Sequence, residues 1–345
     1  MKKNISVSGT LVCAALCASA LFAAIAATGC AKKEAAAGAD AAQTFRIGIS
    51  KIVAHPALDA IEQGVKDELA ARGLDASFDG QNANGDVNTA MQIATKFKAD
   101  GVDAVVAIAT PTAVAAANVI KDKPVIFATV TDPIGAGLVG ADNMGSGNVT
   151  GLSDKINVED QILLFNKIKT LKTLGYIYTS SEANSASALA DVEAACKKLG
   201  IALVAQSITN SSEVKQATQA IIGRVDGIYL TTDNTVFSAL PALVEVALSN
   251  KKPVFSADTT SAMNGGCVIA SGFDYYKAGR ATGTILADVL EGKAPSSIPV
   301  KYITDPSETD FLIDLDAAKI CGITIPADIL ASASKIIENG KLTTK

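Results

Sequence analysis

From Phe45 to Leu315 the chain alternates two hydrophobic periods. Short apolar runs read as strands. Each is followed by a stretch whose apolar residues recur every three or four positions, which reads as a helix. FRIGIS (45–50) is the first run. Residues 57–73 follow with Leu58, Ile61, Val65 and Leu69 on one helical face, and Gly73 stops the helix. DASFDG, VDAVVAIAT (102–110), KPVIFATV (123–130) and NVTGLSD (148–154) read as further strands. NTAMQIATKFKADG and TAVAAANVIK read as the intervening helices, the second with Pro111 in its first turn, where a residue without an N–H is favoured.

A second series opens after the helix VEDQILLFNKIKTL. The strands TLGYIYTS (173–180), ALVAQSIT, VDGIYLTTD (225–233), KPVFSAD (252–258) and GCVIASGFD (266–274) alternate with the helices SASALADVEAACKKLG, SEVKQATQAIIG and TVFSALPALVEVALSN. The last is expected as one helix with Pro241 near its first turns. A long amphipathic helix, YYKAGRATGTILADVLEG, precedes IPVKYIT and DFLIDL. Strand–helix alternation predicts an α/β fold with parallel sheets and right-handed crossovers. Two series of similar order predict two similar lobes, and Lys-Pro-Val opens an equivalent strand in each.

The N-terminus departs from this pattern. Lys2 and Lys3 precede an uncharged, apolar run from about Ile5 to Ala27, then Ala27-Thr28-Gly29-Cys30. A positive start, an apolar run and small residues before a break describe an export signal. A break at cysteine matches a lipobox, so Cys30 is the expected lipidation site. A second reading is a permanent membrane anchor, since the run nearly spans a bilayer. The following AKKEAAAGADAAQT lacks large apolar residues and reads as a flexible tether.

Composition narrows the function. Cleavage before Cys30 leaves 316 of the 345 residues, and losing Lys2 and Lys3 takes the net charge from −5 to −7. An acidic chain without a basic cluster is no candidate for nucleic acid. Hydrophobic residues make up 49% but aromatics only 5%, and Trp is absent, the small aliphatic bias of parallel sheets covered on both faces. Six cysteines include Cys13, Cys17 and Cys30 in the leader region. Cys196, Cys267 and Cys321 remain, far apart, so neither a disulfide framework nor a metal site is expected.

In open parallel sheets, ligands bind at the loops following the carboxyl ends of the strands. Those loops carry Ser50 to Pro56, Thr110-Pro111-Thr112 and Thr131-Asp132-Pro133 in the first series. The second series supplies Ser180 to Ser185, Thr231 to Asn234 and Asp258-Thr259-Thr260. Small hydroxyls beside free N–H groups at helix N-termini can seat a carboxylate, and facing Asp residues can hold an ammonium. Each such residue also reads as a plain N-cap, Asp132 as a turn residue, and His55, the one histidine, as a wall residue. The functional reading rests on convergence from both lobes.

The stretches IGISKIVAHPALDAIEQGVKDEL, QNANGDVNTAMQIATKF, AIATPTAVAAAN, PVIFATVTDPIGAGLV, NVTGLSD, EANSASAL, DGIYLTTDNTV, PVFSADT and GFDYYKAGRATG carry a resemblance in order from residue 45 to about 325. The chain resembles ABC-type substrate-binding proteins of the tryptophan/tyrosine-binding lipoprotein group, within the type I periplasmic-binding fold. The resemblance implies two Rossmann-like lobes joined by several crossing segments that close on a ligand. With the signal peptide (1–29) and tether (30–44) read from the N-terminal residues themselves, the expected division is a first lobe of 45–154 plus about 275–300, a second of 155–274 plus about 301–330, and a tail (331–345). The resemblance implies an aromatic amino acid as ligand, no cofactor, and a permease with its ATPase as partners of a membrane-anchored monomer. By position, Thr110 and Thr131 would hold the ligand carboxylate, with Asn184 and Ser185 reaching it from the second lobe. Asp233 with Asp258 would hold the amine. Ile52, His55 and Phe273 would line the side-chain pocket, with Ser50 and Asn234 also at the site. The family commonly has Asn where this chain has Asp314.

Other readings remain open at this point: a sugar or nucleoside as ligand, or a ligand-sensing or adhesive surface lipoprotein. An enzyme is not expected, since GxGxxG after the first strand, a P-loop and GxSxG are all missing.

Overall fold

The computed structural model describes residues 44–345. The expected signal peptide, the lipidation site at Cys30 and the tether as far as residue 43 lie outside the described residues.

The first lobe is built from β1 (Phe45–Lys51), α1 (Pro56–Ala71), β2 (Ala76–Asn82), α2 (Val87–Asp100), β3 (Ala104–Ile108), α3 (Thr110–Val119), β4 (Val125–Ala128) and β5 (Val149–Ser153). With β11 (Lys301–Tyr302) these strands form a six-stranded sheet, in the order β11-β5-β4-β3-β1-β2, and every pairing is parallel. All five residues of AVVAI in β3 and all four of VIFA in β4 are buried. A central strand covered on both faces has no solvent side for polar residues to occupy.

The second lobe runs through α4 (Val158–Ile168), β6 (Thr173–Thr179), α5 (Ala183–Leu199), β7 (Ala202–Ile208), α6 (Val214–Ile221), β8 (Gly227–Leu230), α7 (Asn234–Ser238), α8 (Leu240–Ser249), β9 (Val254–Ser256), α9 (Thr259–Ala262) and β10 (Ile269–Phe273). After the excursion through α10 (Tyr275–Leu290) and β11, it is completed by β12 (Thr309–Asp314), α11 (Leu315–Ile320), α12 (Ala327–Ser332), β13 (Lys335–Glu338) and β14 (Lys341–Thr344). Its sheet order is β14-β13-β12-β10-β9-β8-β6-β7. Pairing is parallel from β7 to β10, and β12 joins β10 antiparallel.

Three expectations change. The single helix expected over TVFSALPALVEVALSN is two, broken at Ala239. Pro241 has no N–H to give Phe237, so the chain restarts a helix there instead of continuing one. Residues 331–345 are not a tail. They end α12 and form the hairpin β13–β14, with Ile337 in the second-lobe core. Residues 301–302 pair with β5 in the first sheet and do not open the second lobe.

The chain therefore passes between the sheets three times: over 154–157, at Asp274, and over 303–308. Helix α10 lies against α1 at unusually close range. A Cβ on Gly64 would sit 2.4 Å from the Tyr276 carbonyl oxygen, and one on Gly279 would sit 2.4 Å from that of Ile61. The element following the second crossing is thus fixed to the first lobe by glycine-mediated backbone contact. Asp314 caps α11 through Ala317 N–H (2.9 Å) and also accepts Gly266 N–H (2.7 Å). A carboxylate accepts at both oxygens where an amide offers one acceptor, which fits Asp at this position.

Candidate ligand-binding cleft

The carboxyl ends of both sheets face one another across a cleft. Its first-lobe wall is His55, Ala57 and Leu58 at the start of α1, Thr110 at the start of α3, Thr129 and Thr131 after β4, and Asp154 at the first crossing. Its second-lobe wall is Asn184, Thr232, Asn234, Phe237 and Asp258, and Tyr275 enters from α10. The empty space among these residues, including the part that opens to solvent, is about 320 Å³. The lobes touch across it. Thr131 Oγ1 and Thr232 Oγ1 are 3.1 Å apart, and Ser187 Oγ donates to Asp132 Oδ2 at 3.1 Å.

Local backbone chemistry aims the first-lobe groups. Ala109 (φ 76°, ψ 159°) and Thr129 (φ 53°) hold positive φ at the ends of β3 and β4. For alanine, and more so for a β-branched residue, this is a strained conformation of the kind that persists at functional sites. Helices α2, α4, α7, α9, α10 and α11 are capped by Asp or Asn side chains. Helices α1, α3 and α5, which start at the cleft, have no side-chain cap. Their first N–H groups are left to whatever occupies the cleft.

Among the described residues, the buried side-chain polar atoms without a hydrogen-bond partner are His55 Nδ1 and Nε2, Thr110 Oγ1 and Asn184 Oδ1. All belong to residues lining this cleft. Buried polar atoms are otherwise almost always paired, so these mark a surface complementary to a polar ligand.

The electrostatics are acidic. Asp154 and Asp258 line the cleft and no Lys or Arg does. Burial pushes the Asp154 carboxyl up to about 6, opposed by hydrogen bonds from Thr131 Oγ1 (3.1 Å) and Tyr275 Oη (3.3 Å). Burial also raises Asp258, opposed by His55 and by Ser261, whose N–H (2.9 Å) and Oγ both donate to it. His55 Nδ1 is 4.0 Å from Asp258 Oδ2. Burial lowers the imidazole below its ordinary range, with the Asp258 carboxylate opposing. The His55 ring lies 6.1 Å from the Phe237 ring. An ammonium placed here would favour the charged form of both carboxylates and oppose the rise that burial causes, and an acid group is best placed at the α1 and α3 N-termini.

Of the residues expected at the site, His55, Thr110, Thr131, Asn184, Asn234 and Asp258 line the cleft. The other five lie outside its lining. Ser50 and Ile52 are buried at the end of β1 and just beyond, and Phe273 packs in the first-lobe core. Asp233 is turned inward. It accepts Thr179 N–H (2.6 Å) and Oγ1 (2.7 Å), Ser185 Oγ (2.7 Å) and Val236 N–H (3.0 Å). That network gives the Asp233 carboxylate four donors and uses the Ser185 hydroxyl proton, so Asp233 serves here as the N-cap of α7 and is turned away from the cleft lining. Asn184 spends its donors on the Glu182 carboxylate (3.1 Å) and the Thr232 carbonyl (3.0 Å). It offers the cleft an acceptor, which suits an ammonium and not a carboxylate. Sequence reasoning missed Asp154, Thr129, Phe237, Tyr275 and the supporting Glu182. The Thr-Asp and Ser-Glu pairs at strand ends were visible, but which member faces the cleft depends on the cap geometry.

Two α/β lobes, three crossings, and an interlobe cleft at the sheet ends with unpaired buried polar atoms define a solute-binding clamp. The chain belongs to the family of ABC transporter substrate binding proteins, whose model it matches over residues 46–337. It is 38% identical over 288 residues to a tyrosine-binding protein of Clostridioides difficile (strain R20291), across 81% of each chain. A Streptococcus pneumoniae ABC domain solved in complex with L-Trp is similar at 34% identity and a TM-score of 0.80, covering 86% of this chain and 100% of that one. The ligand-free, open structure of a Clostridium difficile substrate binding protein with adhesive properties is also 34% identical, at a TM-score of 0.62 over 83% of this chain and 97% of that one. At equal identity, the TM-score is higher to the L-Trp complex than to the ligand-free, open structure.

Proposed function

We propose that the protein captures an aromatic L-amino acid between its lobes and delivers it, outside the cytoplasm, to the permease of an ABC importer. The observation that carries this reading is the convergence of partnerless buried polar atoms, two buried carboxylates and uncapped helix N-termini on one cleft. The ligand carboxylate would sit at the N-terminus of α3, on Thr110 Oγ1 and free N–H groups. The ammonium would be held by Asn184 Oδ1 and the carboxylates of Asp258 and Asp154. The ring would lie against Phe237, His55, Leu58 and Tyr275. The relatives named for tyrosine and L-Trp support the aromatic side chain. No step of this cycle needs a covalent change in the ligand, so the protein acts as a receptor and not as a catalyst.

Export, and lipid attachment at Cys30, belong to the same proposal and rest on Lys2, Lys3 and the Ala27-Thr28-Gly29-Cys30 sequence. Among the described residues no helix is long and apolar enough to cross a membrane.

The reading is tested by a thermal-shift screen on protein that has been unfolded, dialysed free of ligand and refolded. The panel is the twenty amino acids with common sugars and nucleosides. A ligand at 100 times its Kd stabilises by about 2.7 kcal/mol. A response confined to aromatic amino acids is expected. A response to sugars or nucleosides alone would overturn the ligand assignment.

A further inference from the structure

Behind the second-lobe wall of the cleft lies Glu182, the N-cap residue of α5, with only 3% of its surface exposed. It does not cap its own helix. Its Oε2 accepts from Asn184 Nδ2 (3.1 Å) and Asn234 Nδ2 (2.6 Å). Its Oε1 accepts from Thr235 N–H (3.1 Å) and Thr235 Oγ1 (2.7 Å). One buried carboxylate thus collects four donors, and two of them are the side-chain amides that line the cleft.

An amide side chain has a donor end and an acceptor end of nearly the same shape, so a site lined by Asn has no polarity until something fixes the flip. An ionised carboxylate accepts at both oxygens and can only face an NH₂ group. The Thr232 carbonyl, which also receives Asn184 Nδ2 at 3.0 Å, can likewise only accept. Asn184 is therefore held with Oδ1 toward the cleft, where that atom is buried and has no partner. Asn234 is held with its oxygen turned away from Glu182.

Resting on the reading of the cleft as an amino-acid site, we propose that Glu182 is a positioning residue for selectivity: it locks the flip of Asn184 and Asn234 so that the second-lobe wall presents acceptors, and the site therefore demands an ammonium. Glu182 does not touch the ligand in this account. Burial, with the Asp233 carboxylate nearby, raises its carboxyl above the usual range, and the hydrogen bonds donated by Asn234, Thr235 and Asn184 oppose that rise by favouring the charged form. Other ionisable groups facing this assembly are Asp233 behind it, Asp258 on the same wall, and His55 and Asp154 across the cleft.

The test compares L-tyrosine with its desamino analogue, 3-(4-hydroxyphenyl)propionate, by calorimetry on wild type and Glu182→Gln, with melting curves to verify folding. Wild type should prefer tyrosine by at least about a hundredfold, since an unmatched buried polar group costs roughly 1–3 kcal/mol and here there are several. In Glu182→Gln the Gln oxygen takes the Thr235 N–H and the Gln NH₂ faces the amide donors, so the orientation of Asn184 loses its carboxylate lock and rests on the Thr232 carbonyl alone. The preference should shrink at least about tenfold, mainly through weaker tyrosine binding. If Glu182→Gln does not fold, Asn184→Leu removes the same oxygen and should lose the preference with Glu182 intact. Wild-type discrimination in Glu182→Gln, or in Asn184→Leu, would overturn the inference while leaving the amino-acid reading in place. Failure of wild type to bind tyrosine, tryptophan or phenylalanine would overturn that reading and this inference with it.

Discussion

Asp154 shows how much one residue in this cleft contributes beyond contact. It occupies the first crossing between the lobes, receives hydroxyls from Thr131 and Tyr275, and is fully buried. Its carboxyl titrates near 3.8 in an unfolded chain and at about 6 here. Between those values the native state holds a proton that the unfolded state has lost, so stability falls as pH rises through that window and stays lower above it. The non-titrating variant Asp154→Asn should therefore be more stable than wild type at pH 7.5, by up to about 3 kcal/mol, and show no gain at pH 4. His55 acts in the opposite direction: its lowered pKa contributes stability that is lost as pH falls below about 6.5 in both proteins. The difference between the two melting profiles isolates Asp154. Equal destabilisation of the variant at both pH values would contradict the assignment. Asp154 was hidden in the sequence because it closes the run NVTGLSD (148–154), which reads only as a strand. Only the topology brings residue 154 beside Thr131 and Tyr275. Thr110 and Asp258 were legible because each directly follows an apolar strand, where a parallel sheet presents its ligand-facing loops. Asp233 met the same criterion and is a cap, because Thr179 and Ser185 surround it with donors.

At the scale of elements, strand and helix order was legible almost throughout, since buried parallel strands and amphipathic helices have different periods. Two features were not. The break at Ala239 turned on whether Pro241 begins a helix or sits inside one, and periodicity is the same in either case. The hairpin of β13 and β14 was missed because these edge strands are largely exposed, with Ile337 the one buried side chain. The contact of α1 with α10 was visible only as unexplained glycines. It makes a sharp prediction. Gly64→Ala places a methyl 2.4 Å from the Tyr276 carbonyl oxygen and 2.8 Å from Arg280 N. The helices must separate, at a cost of about 1–3 kcal/mol, seen as a lower denaturant midpoint with an unchanged slope. Gly223→Ala, with no atom within 4 Å of the new methyl, is the control and should be close to neutral. Equal effects from the two substitutions would contradict the close-packing account.

Across the whole molecule, three crossings join the lobes, and on the proposed reading lobe closure and ligand capture are one event. The cleft walls come from different lobes, with Thr110 and Asp154 on the first and Asn184 and Asp258 on the second, so the full set of proposed ligand groups meets only when the lobes do. Thr131 with Thr232 and Ser187 with Asp132 bridge the lobes in the present arrangement. Both charged ends of an amino acid are then needed to span the gap. The most direct measurement is a calorimetric titration of refolded, ligand-free protein with L-tyrosine, tyramine and 3-(4-hydroxyphenyl)propionate. Binding of tyrosine at roughly micromolar strength, about −8 kcal/mol, with both truncated analogues weaker by at least about tenfold, is the predicted result. Tyramine or the desamino acid binding as tightly as tyrosine would contradict a cleft built to hold both ends of the ligand.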